Sequence, residues 1–157
     1  MEKAETLFKK DTIFFLEDKE EYLDEEVLVF VADELFRLGY AKESFKNALL
    51  MREKEFPTGL QMEPYAVAIP HADLGHVHKA CIGVVRLRGS ALFKDMIDSS
   101  TVVKVKFVFC IAIAEKQKQT DILQDLMKIT GNAGVMEQLT NAQTRCEIFE
   151  ILRKAEM

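Results

Sequence analysis

The order of apolar and polar positions predicts helices near both ends of the chain. Apolar side chains recur at helical spacing over residues 23–38, acidic side chains crowd the beginning of that segment, and Gly39 offers a left-handed stop after it. Residues 42–53 predict a second amphipathic helix. Three shorter segments with helical spacing follow in the tail, at residues 122–130, 135–139 and 148–152.

The central part of the chain has the pattern of strands. Runs rich in β-branched, aromatic or other apolar residues predict four of them, at residues 12–16, 65–69, 80–87 and 102–114. In the last of these, Lys104 and Lys106 separate apolar residues at every second position from Val103 to Phe109, which predicts one wetter face. Residues 55–64 contain two prolines and a glycine without a sustained period, and they predict a loop.

These elements together predict an α/β fold class. Helices precede and follow the apolar strands along the chain, and this order favours a sheet packed between two layers of helices. Strands joined by tight turns, beside strands joined by helices, imply a sheet of mixed direction. A length of 157 residues is typical of one domain. We therefore predict a mixed β-sheet flanked by helices on both sides, in a single domain that covers residues 1–157.

Charge and composition narrow the range of partners. A formal net charge of −5 argues against a broad basic surface for nucleic acid. No apolar run approaches the roughly 20 residues of a membrane-spanning helix, and the first residues lack the apolar stretch of a signal peptide. We therefore predict a cytoplasmic protein. Cys81, Cys110 and Cys146 are widely spaced in apolar surroundings, and we predict that they are reduced thiols buried in the core.

All three histidines fall between residues 71 and 78, and one interpretation of this cluster is a metal site. His76 and His78 are two residues apart, a spacing that places both imidazoles on one side of a strand, and His71 would be the third ligand. However, no cysteine stands at ligand spacing, and Asp73 is the only close carboxylate. These features argue against a metal, so the prediction is that none is bound.

The other interpretation is that His71 accepts a phosphoryl group. His71 follows Pro70 directly, at the carboxyl end of the strand predicted at residues 65–69, and ligand sites of α/β proteins favour that edge of the sheet. One nitrogen of a neutral imidazole is a nucleophile while a hydrogen bond on the other nitrogen sets the tautomer. A loop histidine with a purely structural contact is the alternative at this point.

Arg52 lies on the same predicted stripe as Phe45, Ala48 and Leu49, which face inward from the second helix. Near the end of a helix, its guanidinium reaches a carboxylate, the terminal carbonyls or a cleft. In a cleft, its planar fork would neutralise phosphate oxygens. A salt bridge to a neighbour and a phosphate contact both stay open. Glu53 faces a different direction and is a candidate to pin the following loop.

Gln119 precedes Ile122 by three residues and Leu123 by four, which places it on the inward face of the next predicted helix. Free backbone amides at the beginning of a helix favour an anion. The Gln119 amide is therefore a candidate donor to a phosphoryl oxygen. A simple polar helix start is the alternative.

Three motifs, taken in order, carry a resemblance to a known family. Arg-Glu at residues 52–53, Pro-Thr-Gly at residues 57–59 and Val-Ala-Ile-Pro-His-Ala at residues 67–72 closely resemble the motif series of the fructose/mannitol-type IIA domains of the bacterial phosphotransferase system. The resemblance covers nearly the whole chain. It is strongest to the galactitol-type branch, at residues 64–85, 103–107 and 123–127.

The resemblance implies a phosphotransferase/anion-transport-like fold and a phosphocarrier without a cofactor. His71 would accept a phosphoryl group from phospho-HPr and pass it to a cysteine on a sugar-specific IIB protein. Arg52 matches the family's arginine beside the phosphohistidine, and Thr58 matches its loop threonine. The protein would reach the membrane only indirectly, through the IIC permease, and would serve galactitol or a related sugar.

The chain departs from the family pattern in one respect. Many relatives carry a second active-site histidine at the start of the helix after the last long strand, where this chain has Gln117 and Gln119. The helical stripe favours Gln119 as the replacement, and a slip of two residues would make it Gln117.

A regulatory phospho-switch that binds partner proteins, rather than feeding transport, is the alternative function.

Overall fold

The computed structural model describes residues 7–155, without the side chains of residues 116 and 117. This part of the chain contains six strands and five helices. The strands are β1 (Phe8–Leu16), β2 (Glu21–Leu23), β3 (Gly59–Leu60), β4 (Val67–Ala68), β5 (Cys81–Lys94) and β6 (Val102–Ala112). The helices are α1 (Asp24–Arg37), α2 (Phe45–Glu55), α3 (Lys116–Thr130), α4 (Ala133–Asn141) and α5 (Arg145–Lys154).

All six strands belong to one mixed sheet. Its order is β1, β5, β6, β4, β3, and β2 pairs with β5 as well. The strands β1 and β2 run parallel to β5, and β4 runs parallel to β6. The pairs β5–β6 and β3–β4 are antiparallel. The predicted mixed sheet is thereby confirmed.

Helices cover both faces of this sheet, as the sequence predicts. Strand side chains alternate between the two faces, so the central strands feed two apolar cores. On one face, Val31 and Leu35 of α1 and Leu49 of α2 are fully buried. On the other face, Ile122 of α3 and Ile148 of α5 are fully buried. The sheet is therefore packed between helices on both of its faces.

The alternation predicted for β6 changes phase within the strand. Val103 and Val105 pack in the core under α1 and α2, whereas Phe107 and Phe109 pack in the core under α3, α4 and α5. The change falls at Lys106, where the register between β5 and β6 is irregular. Such an irregularity bends a strand and re-aims its side chains.

Several element boundaries differ from the prediction: β1 begins at Phe8, β5 continues to Lys94 and α3 begins at Lys116, and β2 was not predicted. Helix α2 begins at Phe45 rather than at residue 42, because the backbone amide of Lys42 donates to the carbonyl of His76 at 2.9 Å and so holds Lys42 in the link before the helix. The predicted loop at residues 55–64 contains β3, which pairs with β4. A strand of two residues is too short to show a period.

The prediction of three buried thiols is wrong for Cys146. Cys81 and Cys110 are buried, whereas Cys146 is exposed on α5. Ile148 and Leu152 lie on the side of α5 that packs against the core. Cys146 precedes Ile148 by two residues, which corresponds to about 200° around a helix, so Cys146 lies on the opposite side. None of the helices in the described part of the chain is long and apolar enough to cross a bilayer.

Candidate functional site

His71 lies where β4 leaves the sheet, beside the last residues of β6. The backbone amide of Ile111 donates to the carbonyl of Pro70 at 2.9 Å, and His71 forms a parallel bridge with Ile111. Proline fixes the backbone angle of the residue immediately before the histidine. These contacts fix the position of the His71 backbone relative to the central strands.

The imidazole of His71 is half-buried and held in one tautomer. Its Nδ1 lies 3.2 Å from the carbonyl oxygen of Ile69. A carbonyl only accepts, so Nδ1 carries the proton and donates, and Nε2 keeps its lone pair. Burial lowers the pKa of His71, and the positive charge of Arg52 acts in the same direction, against the Ile69 carbonyl and the charge of Asp73. The ring is therefore neutral at pH 7, with Nε2 as a nucleophile.

Arg52 lies at the end of α2, next to the histidine. Its Nη1 donates to Oδ1 of Asp73 at 2.9 Å, and its guanidinium lies 4.6 Å above the ring centre of Phe56. The Arg52 side chain is 32% exposed, and its Nε is buried without a hydrogen-bond partner in the described part of the chain. Arg52 therefore makes the salt bridge that was one of the two alternatives, and it also faces a cleft, while its contact with a phosphate stays a prediction.

The cleft is a cavity of about 360 Å³ that Arg52 and His71 both line. Its remaining lining comes from the last residue of α2, the segment that follows it, and the loop between β5 and β6, namely Glu55, Phe56, Pro57, Thr58, Met96, Ile97 and Ser99. An imidazole and an arginine side chain thus line one pocket that opens to solvent. This pair of groups suits transfer of a small anionic group.

Glu53 and Thr58 form a buried pair behind this cavity. Glu53 is 4% exposed and Thr58 is 2% exposed. The backbone amide and the hydroxyl of Thr58 each donate to a carboxylate oxygen of Glu53 at 2.8 Å. Burial raises the pKa of Glu53 to about 7, although both hydrogen bonds from Thr58 act to lower it. The carboxylate therefore ties the end of α2 to the loop that lines the cavity.

An apolar rim, formed by Phe56, Met96 and Ile97, surrounds the cavity mouth. These side chains are 53%, 40% and 89% exposed. The backbone amide of Met96 donates to the carbonyl of Gly59 at 2.8 Å, which holds the β5–β6 loop against β3. Exposed apolar side chains grouped around a cleft are typical of a protein-binding surface.

The two glutamine candidates are placed differently. Gln119 is half-buried in the first turns of α3 and is not among the residues that line the cavity. The side chain of Gln117 lies outside the described residues. The predicted roles of both glutamines in holding a phosphoryl group stay predictions.

The other two histidines do not join His71. His76 lies 2.7 Å, Nδ1 to Oγ, from Ser44 and lines a neighbouring cavity of about 450 Å³ that Arg52 also borders. His78 is exposed. Among residues 7–155, apart from the two side chains left out, no group of three or more His, Cys, Asp or Glu side chains is arranged to hold a metal ion.

The role of Asp73 as the partner of Arg52 escaped the sequence analysis. The sequence suggested Asp73 only as a possible metal ligand beside the three histidines. The signal was nonetheless present, because an inward-facing arginine needs a counter-charge and Asp73 lies two residues after the predicted acceptor. The rim residues Met96 and Ile97 were also missed, although two large apolar residues in a polar loop are conspicuous.

Comparisons with known proteins agree with one another. The family model described as "Phosphoenolpyruvate-dependent sugar phosphotransferase system, EIIA 2" matches residues 6–155. The galactitol-specific EIIA component of Escherichia coli K12 is 30% identical over 114 residues, which cover 73% of this chain and 75% of that protein.

Solved structures show the same fold. The crystal structure of IIA mannitol from Escherichia coli has a TM-score of 0.74 at 22% identity and covers 92% of this chain and 98% of its own. A complex of enzyme IIA and phosphorylated enzyme IIB of the mannitol system from Escherichia coli has a TM-score of 0.72 at 24% identity and covers 93% of this chain and 98% of its own.

Proposed function

We propose, because this chain belongs to the EIIA 2 family of the phosphoenolpyruvate-dependent sugar phosphotransferase system, that His71 is the residue on which it carries the phosphoryl group. Membership makes the chain a phosphotransferase that works with a IIB protein. The proposed donor is phospho-HPr, and the proposed acceptor is a cysteine of a sugar-specific IIB protein. The observation that carries the proposal is that His71, whose Nδ1 is held by the Ile69 carbonyl so that Nε2 is left as the nucleophile, lines a cavity together with Arg52.

Both transfer steps exchange one bond to phosphorus for another. In the first step, the Nε2 lone pair attacks the phosphorus of phospho-HPr, an N–P bond forms, and the bond to the donor atom of HPr breaks with its electron pair returning to that atom. In the second step, the IIB thiolate attacks this phosphorus, an S–P bond forms, and the N–P bond breaks with its electron pair returning to Nε2. His71 keeps its proton on Nδ1 throughout, since the Ile69 carbonyl holds it there.

The protein's remaining work is to position and neutralise the phosphoryl group, because the charge of the moving group spreads over three oxygens. The Arg52 guanidinium is the proposed main donor to these oxygens. The Thr58 loop, held by Glu53, shapes the cavity wall. Gln119 at the beginning of α3 is the proposed second donor, with Gln117 as the alternative.

The apolar rim is the proposed docking surface for both proteins in turn. Ile97 is almost fully exposed beside the cavity and offers an anchor to a transient partner. Since the two partners must reach the same nitrogen, they use this face one after the other. The proposed place of action is the cytoplasm, in a single domain over residues 1–157, with the membrane reached only through the IIC permease.

The 30% identical galactitol-specific relative supports galactitol or a related sugar as the substrate of the system. A phosphocarrier need not touch the carbohydrate, so this assignment rests on the partner rather than on the cavity. Transfer from His71 to the IIB protein of a galactitol system, but not to IIB proteins of other sugars, tests it. Phosphorylation of His71 without any IIB acceptor would favour the regulatory alternative.

The direct experiment is incubation with radiolabelled phospho-HPr. The wild-type protein should take up an acid-labile, base-stable label, and His71→Gln should take up none. His76→Gln is the matched control, because it removes a neighbouring histidine that faces a different cavity, and it should be labelled like the wild type. Label on the His71→Gln protein would contradict the assignment.

A further inference from the structure

We infer, on the basis of the proposed function, that Asp73 is a positioning residue that competes with the phosphoryl group of His71 for the guanidinium of Arg52. The ion pair between Arg52 and Asp73 then belongs to the empty carrier. Arrival of the phosphoryl group breaks this pair, and departure of the group restores it. Asp73 thereby keeps the phosphorylated carrier ready to pass its group on.

The geometry of the pair shows which partner moves. Arg52 is 32% exposed and lies over the ring of Phe56, whereas the Asp73 side chain is 75% exposed. An exposed carboxylate regains water when it leaves an ion pair, so its release costs little. The guanidinium, in contrast, is held between α2 and the cavity that it shares with His71.

The charges show why the pair breaks. Without the phosphoryl group, Arg52 and Asp73 neutralise each other at 2.9 Å. A phosphoryl group on Nε2 adds up to two negative charges two residues before Asp73, so it attracts the guanidinium and repels the carboxylate. The buried Nε of Arg52, which has no partner in the described part of the chain, is a further donor for the incoming oxygens.

A carrier needs such a competitor because it must accept and release the same group. If Arg52 had no other partner, its full attraction for the phosphoryl group would lower the free energy of the phosphorylated form and oppose onward transfer. The lost ion pair and the like-charge repulsion offset part of that attraction. Asp73 therefore adjusts the equilibrium between the empty and the loaded carrier.

The test is the equilibrium constant for phosphoryl exchange with HPr, measured for Asp73→Asn and Asp73→Glu. The asparagine variant should raise the loaded fraction, with an equilibrium constant about three- to tenfold above wild type, since an exposed ion pair contributes up to about fivefold and the repulsion adds to it. The rate of transfer to IIB should fall correspondingly. Asp73→Glu keeps the charge and should stay near the wild-type value.

Glu55→Gln is the matched control. Glu55 is an exposed carboxylate that lines the same cavity, whereas the ion pair of Arg52 is made by Asp73. This control should change the constant by less than about twofold, since only a screened charge is lost. A second readout is the affinity of the unphosphorylated protein for inorganic phosphate, followed by the NMR signals of His71. Asp73→Asn should bind phosphate more tightly, and a merely structural role would not move this value.

The outcomes separate this inference from the proposed function. If wild-type His71 takes up no label from phospho-HPr, the proposed function is wrong and the inference with it. If His71 is labelled but Asp73→Asn leaves the exchange constant unchanged, lowers it, or changes it no more than Glu55→Gln does, the role of Asp73 alone is wrong.

Discussion

Glu53 should make the stability of the protein fall as the pH rises. The folded protein raises the pKa of this buried carboxyl from 4.5 to about 7. Between these values the folded protein keeps a proton that the unfolded chain releases, so the free energy of unfolding decreases with pH across this window. The difference corresponds to about 3 kcal/mol, at about 1.4 kcal/mol for each pH unit.

Glu53→Gln removes this titration while it keeps the shape of the side chain. Its amide oxygen still accepts from the Thr58 backbone amide, which in the wild type donates to Glu53 at 2.8 Å. From about pH 5 to about pH 8, the variant should gain about 2 to 3 kcal/mol of unfolding free energy relative to wild type. Burial lowers the pKa of His71, which favours stability at higher pH, but this contribution is common to both proteins and cancels.

The assay is urea denaturation of both proteins at a series of pH values, followed by circular dichroism. Thr58→Ser is the matched control, because it keeps both donors to Glu53 and should reproduce the wild-type pH dependence. If the difference in unfolding free energy between wild type and Glu53→Gln does not change with pH over this range, the reasoning is refuted. Glu53 would then have the same pKa in the folded and unfolded states.

Two further predictions concern the thiols and a close backbone contact. A thiol reagent should react rapidly with Cys146 alone in the native protein, because burial raises the pKa of Cys81 to about 12 and raises that of Cys110 as well. Cys146→Ser should abolish this rapid reaction, and rapid modification of a second thiol would contradict the prediction. Gly59→Ala should lower the free energy of unfolding by about 1 to 3 kcal/mol, since its Cβ would lie 2.7 Å from a backbone carbonyl oxygen of β5. Gly134→Ala is the matched control, because the nearest atom to its new Cβ is 3.5 Å away, and its free energy of unfolding should not fall comparably. Equal losses of unfolding free energy in the two variants, measured by denaturation, would contradict the role of the close contact at Gly59.

Local spacing was enough to predict most of the fold and to make Arg52 and His71 candidates, whereas their assignment to phosphoryl transfer came from the family resemblance. The stripe that contains Phe45 and Leu49 also carries Arg52, because a helix repeats its facing positions every three to four residues. His71 was predicted from the strand and the proline before it, both of which are local signals. The mixed sheet followed from the order of helices and strands.

Features that depend on distant parts of the chain were not predictable in the same way. The ion pair of Arg52 with Asp73 joins the end of α2 to the loop after β4, and no periodicity links the two. The two residues of β3 become a strand only because β4 lies beside them. The phase change at Lys106 reflects the irregular pairing with β5, which the sequence of β6 alone does not encode.

The most direct test of the account is the identification of the phosphorylated atom. After transfer from phospho-HPr, NMR spectra of nitrogen-labelled protein should show a nitrogen–phosphorus coupling at Nε2 of His71, with the Nδ1 proton still directed at the Ile69 carbonyl. A coupling at Nδ1 of His71, or at either ring nitrogen of His76 or His78, would contradict the account.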